Sequence, residues 1–186
     1  VYVPETLALQ YNGDEERTWT VVESVAYVEE TATSTNARAR NVGYATFEDA
    51  IEAIGIRNTN KTVTMLQDVV LENTITIAAG KEIILDLNGK VVSYESAVVG
   101  EDMITNKGKL TIESSVEGGK LTYKNTDETG ANVTISTIST EPGSELIING
   151  GIIENTSLAN NTSKVLVPYT IDILTNGNLG DVTVTI

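Results

Sequence analysis

The chain offers chemistry almost entirely through oxygen: its 186 residues include 26 Asp and Glu, 12 Lys and Arg, no Cys and no His. Thiol nucleophiles, disulfides, Ser-His-Asp triads and His- or Cys-held metals are therefore excluded. Glycosidic hydrolysis remains chemically open, because it needs only carboxylates converging at about 5 to 9.5 Å. The acids that could supply them, Asp86, Asp102, Asp127, Asp172 and Asp181, share no common position in the repeat described below. The preferred reading makes them solvated acids on outward strand faces and loops. Calcium is the one ion that the polar loops suggest, since Asn125-Thr126-Asp127-Glu128 and Asn12-Gly13-Asp14-Glu15-Glu16 gather oxygen ligands. Neither matches EF-hand spacing, so no cofactor is expected, and Asp127 and Glu128 stand as the candidate ligands should Ca2+ bind.

Sugar binding without catalysis would call for aromatic surfaces. In the second half of the chain Tyr94, Tyr123 and Tyr169 are available, and Tyr94 and Tyr123 follow Gly89 and Gly119 by five and four residues. These two are the candidate ligand-binding residues, although a one-residue offset would place them on opposite strand faces unless a bulge absorbs it. Packing inside the fold is the competing role. The formal net charge of −14 opposes nucleic acid and anionic lipid as partners. With no apolar run of about 18 residues, no membrane insertion is expected.

The elements that must position these groups fall into two regions. Residues 1–43 read as a β-hairpin-like extension, with runs Thr6 to Tyr11 and Arg17 to Val28 around Asn12-Gly13, followed by a polar linker from Glu29 to Asn41. One helix is expected over about 46–54: Thr46 precedes Asp49 by three, and Phe47, Ala50, Ile51 and Ile54 fall at i, i+3, i+4 and i+7.

Beyond Lys61 short strands are punctuated by Gly and Asn, and they repeat. Asn88-Gly89-Lys90, Gly118-Gly119-Lys120 and Asn149-Gly150-Gly151 place second glycines 119 − 89 = 30 and 150 − 119 = 31 residues apart. A second series, Thr105-Asn106, Thr140-Glu141 and Thr175-Asn176, interleaves with it at 35-residue steps (140 − 105 and 175 − 140). Three strand-like pieces per period, each too short to bury its apolar side alone, predict a stacked coil with a shared interior.

Tyr44-Ala45-Thr46-Phe47-Glu48-Asp49-Ala50-Ile51, then Thr62-Val63-Thr64-Met65-Leu66-Gln67-Asp68-Val69, then Leu85-Asp86-Leu87-Asn88-Gly89-Lys90 resemble the opening of right-handed parallel β-helix domains of adhesin-like bacterial surface proteins, in the pectin-lyase-like superfamily. The resemblance covers about residues 44–186 and implies an all-β solenoid with three short strands per coil and a helix capping its N-terminal mouth. Lyases of that superfamily use an Arg or Lys base beside Ca2+-binding acids. All four Arg here (Arg17, Arg38, Arg40, Arg57) precede residue 60, which argues against a lyase. The resemblance thus implies a non-catalytic adhesion or spacer module of a secreted or cell-surface protein, with a glycan or another host or cell-surface ligand as partner. The alternative is a glycan-active lyase or hydrolase using carboxylates on the coil face. Because the final strand Asp181 to Ile186 is followed by no covering element, further coils and other domains of a parent chain are expected beyond it.

Overall fold

The computed structural model describes residues 4–12, 18–30, 40–56, 61–98, 100–126, 133–157, 166–173 and 183–185. The chain opens with an antiparallel ribbon, β1 (Leu7–Tyr11) and β2 (Trp19–Glu23), in which Leu9 faces Val21 and Tyr11 faces Trp19. β3 (Ala26–Glu30) and β4 (Arg40–Tyr44) pair antiparallel, and α1 (Phe47–Ala53) follows. The remaining strands are β5 (Lys61–Met65), β6 (Val69–Val70), β7 (Ile75–Ile77), β8 (Glu82–Asp86), β9 (Val91–Ser96), β10 (Ile104–Asn106) and β11 (Lys109–Glu113). After them come β12 (Lys120–Asn125), β13 (Val133–Thr140), β14 (Glu145–Ile148), β15 (Ile152–Asn155), β16 (Leu166–Ile173) and β17 (Thr183–Thr185).

The protein is mostly β, and among β5 to β17 every described pairing of one strand with another is parallel. A seven-stranded sheet has the order β17-β14-β11-β8-β5-β3-β4, and two four-stranded sheets have the orders β15-β12-β9-β6 and β16-β13-β10-β7. The chain visits these sheets in fixed rotation. Alternation along the strands explains the core: Ile83 and Leu85 of β8, Leu110 and Ile112 of β11, Val92 of β9 and Leu121 of β12 are all buried. Burying such a side chain fully contributes about 1.5 to 3 kcal/mol, which no single short strand could gain in water.

The helix forms where its pattern predicts. Thr46 caps it, its hydroxyl accepting the Asp49 N–H at 3.1 Å, while Phe47, Ala50 and Ile51 are buried toward β3, β4 and β5. Its last turn carries no basic residue of its own, and Lys81 supplies one from the turn after β7, its Nζ donating to the Ile51 carbonyl at 3.0 Å.

The region before residue 44 differs from the expected extension and linker. The second run breaks at Ser24-Val25, and β3 and β4 occupy both ends of the expected linker. β3 lies between β4 and β5, so this part of the chain completes the seven-stranded sheet. Two inward apolar residues, Ala26 and Val28, carry that pairing, and the polar run around them hid it. Gly43 has a steric reason: a Cβ there would lie 2.1 Å from Ser24 Oγ and 2.5 Å from the Glu5 carbonyl, so the ribbon packs on β4 only over bare backbone.

Candidate functional site

The candidate residues Tyr94 and Tyr123 sit on β9 and β12, neighbours in one parallel sheet with Lys120 opposite Val91 and Tyr123 opposite Tyr94. Counting back two positions from that register sets Gly118, not Gly119, against Gly89; both have left-handed backbones, with φ of 94° and 73°. The spacings then agree, since 94 − 89 and 123 − 118 are both five, and the expected offset disappears without a bulge. The second series needs the same correction, because Thr140 stands opposite Asn106 and Ser139 opposite Thr105. Thr175 and Asn176 lie outside the described residues.

The two rings stack inside the fold, centroids 5.7 Å apart and 14° from parallel, with Tyr94 7 % and Tyr123 0 % exposed. Neither ring face is open to a sugar. Their hydroxyls instead converge on Glu101, in the segment joining β9 to β10. Tyr94 donates to Glu101 Oε2 at 2.8 Å, Ser96 donates to the same oxygen, and Tyr123 donates to the Glu101 carbonyl at 2.5 Å. Asn125 closes the network, its Nδ2 donating to the Tyr123 hydroxyl at 3.0 Å and to the Val98 carbonyl at 2.8 Å. Burial pushes the Tyr123 phenol up to about 12, with the Glu101 and Asp102 charges adding to the rise. Burial, then the bond to Glu101, raises Tyr94 as well. Such a network fixes a corner between two sheets, as satisfied buried polar groups do.

Asp102 turns the other way. One of its oxygens accepts both the backbone N–H and the hydroxyl of Ser136, at 2.7 and 2.6 Å, joining the β10 circuit to the β13 circuit. Asp172, half-buried on β16, is raised by burial first and by the Asp102 charge second. Asp86 departs from the expected solvated acid: it is buried, and its Oδ1 accepts the N–H groups of Asn88 and Ser115, each at 2.8 Å, pinning the turn after β8 to the next circuit. A carboxylate so engaged is a structural acceptor. Tyr169, on β16, is partly exposed.

The candidate metal ligands Asp127 and Glu128 lie outside the described residues. Among the described residues no group of three or more acidic side chains is close enough to hold a metal ion, and no helix is long and apolar enough to cross a membrane. Cross-circuit ion pairs complete the electrostatics: Lys107 with Glu141 at 3.0 Å, Lys109 with Glu145 at 3.1 Å, and Lys120 with Glu154 and Lys124 with Glu95, both at 3.2 Å. The Lys120 bond, then Thr122, lowers Glu154.

Glu101, Ser96 and Ser136 were not singled out by residue chemistry. The available signal was the Glu101-Asp102 dipeptide between a glycine turn and a short strand, since Gly100 has φ of 72°. Compared with protein-family models, with curated proteins and with solved structures, the chain gives no match.

Proposed function

We propose that the chain is a right-handed parallel β-helix of the pectin-lyase-like kind, serving as a non-catalytic adhesion or spacer module of a secreted or cell-surface bacterial protein. The observation that carries the reading is the unbroken rotation of thirteen strands, β5 to β17, through three sheets in which they pair with one another in parallel. Right-handedness follows from the general preference of parallel crossovers, about 98 % of which have that hand. The spacer role draws support from the use of two acids, buried Asp86 and half-buried Asp102, which accept hydrogen bonds between circuits, and from the sealed tyrosine stack. A stack whose circuits are tied together by such bonds suits the presentation of other surfaces at a distance.

One observation favours the second reading, a glycan-active enzyme. Asp172 is held protonated to higher pH than an ordinary carboxyl, with Asp102 adding to the shift, a trait of general acids. Incubation with polygalacturonate and a panel of plant and host glycans separates the two. The module is expected to leave every glycan intact; turnover abolished by Asp172→Asn or Asp102→Asn would replace the adhesion reading with the enzymatic one. A glycan array probed with the uncleaving protein then distinguishes adhesion, which gives saturable binding, from a bare spacer, which gives none.

A further inference from the structure

Four Asn-Gly steps occur in the chain, at Asn12, Asn88, Asn149 and Asn176. This dipeptide is the sequence most prone to spontaneous loss of the side-chain amide, because glycine leaves the following backbone nitrogen unshielded. The fold treats the steps unequally. Asn88 is clamped: its Nδ2 donates to the Met65 carbonyl at 2.8 Å, Ser115 reaches its Oδ1 at 3.4 Å, and the next N–H, that of Gly89, donates to Ser114 Oγ at 3.2 Å. Asn12 donates its side-chain amide to the hydroxyls of Thr18 and Thr20 at 2.8 and 2.9 Å, while Gly13 lies outside the described residues. The step at Asn176 lies outside the described residues.

Asn149 lies in the connection from β14 to β15 with its side chain exposed. Among the described residues neither its side-chain amide nor the Gly150 N–H makes a hydrogen bond. Its own N–H is tied to the Ile112 carbonyl at 2.8 Å, which holds the upstream backbone while leaving the reacting groups loose. The geometry points to Asn149 as a site of spontaneous deamidation, the first to convert among Asn12, Asn88 and Asn149. The Gly150 nitrogen, losing its proton to hydroxide, attacks Asn149 Cγ. An N–C bond forms, the bond from Cγ to Nδ2 breaks, and ammonia leaves with a proton from water. Water then opens the five-membered imide at either carbonyl, giving Asp or isoaspartate and one further negative charge.

The position makes the isoaspartate product consequential. Only Asn149, Gly150 and Gly151 separate β14 from β15, and Gly151 is fixed by a left-handed backbone (φ 86°) and by Leu87, whose Cδ1 would lie 2.8 Å from an added Cβ. An extra backbone methylene there must be absorbed by β15, whose register against β12 starts immediately, with Ile152 opposite Lys120.

The test is to age the purified chain in mildly alkaline buffer and follow each asparagine by peptide mapping. Asn149 is expected to convert ahead of Asn12 and Asn88. Gly150→Ala is expected to slow it on the order of tenfold, about 1.4 kcal/mol in barrier, with the melting midpoint unchanged. The position tolerates a methyl, since a Cβ there meets only the Ser114 nitrogen at 3.5 Å. Conversion of Asn88 or Asn12 as fast as Asn149, or an unslowed Gly150→Ala, would overturn the assignment. Asn149→Asp, which adds the charge without the methylene, is expected to melt with the parent while the isoaspartate fraction melts lower; equal melting of that fraction would refute the register consequence.

Discussion

Tyr123 gathers the largest fully buried side chain among the described residues, a ring stack and a hydrogen-bonded hydroxyl at one point, so its titration reports on folding. Its folded pKa of about 12 stands above the ordinary tyrosine value of 10.0, and Tyr94 is raised too. A raised phenol favours the protonated state in the fold, so its stabilisation is complete below about pH 10 and is lost as pH climbs through about 12. The unfolding midpoint is therefore expected to fall between those values, with tyrosinate absorbance rising in the same transition. Tyr123→Phe should flatten that alkaline limb. At neutral pH it should cost on the order of 1 to 3 kcal/mol, because the Glu101 carbonyl and the Asn125 amide each lose a buried partner. An alkaline limb as steep in Tyr123→Phe as in the parent would show that the phenol is not what fails. The stack itself was hidden in the sequence by the doubled glycine at Gly118-Gly119: choosing the second as the equivalent of Gly89 shifted the period by one residue, and in a strand one residue is the whole difference between faces.

Among the elements, α1 shows how much local pattern can disclose and where it stops. Thr46, Asp49 and the apolar stripe gave the helix and its N-cap, because those interactions lie within one turn of sequence. The C-terminal end depends on Lys81, which follows the helix's last residue by 28 positions (81 − 53) and is brought there only by the first circuit of strands. Nothing in the spacing could announce it. Lys81→Met keeps the aliphatic stem but removes the charge from the last carbonyls, and is expected to lower stability by about 0.3 to 1 kcal/mol, an effect weakened by salt. Amide exchange is the discriminating measurement: protection should drop at Ile51 to Ile54 and remain unchanged in β11 and β12. Uniform loss across the chain would mean that Lys81 acts on the turn after β7 instead of the helix. β4 was illegible for a related reason, since Arg40–Tyr44 offers little apolar alternation of its own and is a strand because β3 and the ribbon pack against it.

At the scale of the whole molecule, the opposition is between attraction across paired strands and repulsion over the surface. Four Lys–Glu pairs bridge neighbouring circuits among the described residues, each partly exposed and so contributing about 0.2 to 1 kcal/mol. Removing four of each sign leaves 26 − 4 = 22 acids against 12 − 4 = 8 bases, so the pairs leave the imbalance of −14 untouched. Strands in a sheet lie about 4.8 Å apart, which puts acids of adjacent circuits within a Debye length of about 10 Å at 0.1 M salt. Screening then weakens both effects, but the acids outnumber the bases and the paired groups are the better fixed. The melting midpoint is accordingly expected to rise as sodium chloride is increased from low ionic strength toward molar concentration. To keep ion-specific effects apart, most of the rise should occur while the Debye length is shrinking past the spacing between circuits. A midpoint that falls over that range would mean that the inter-circuit ladders outweigh the net charge, and Lys109→Met, which removes one rung of them, should then reproduce part of the fall at low salt.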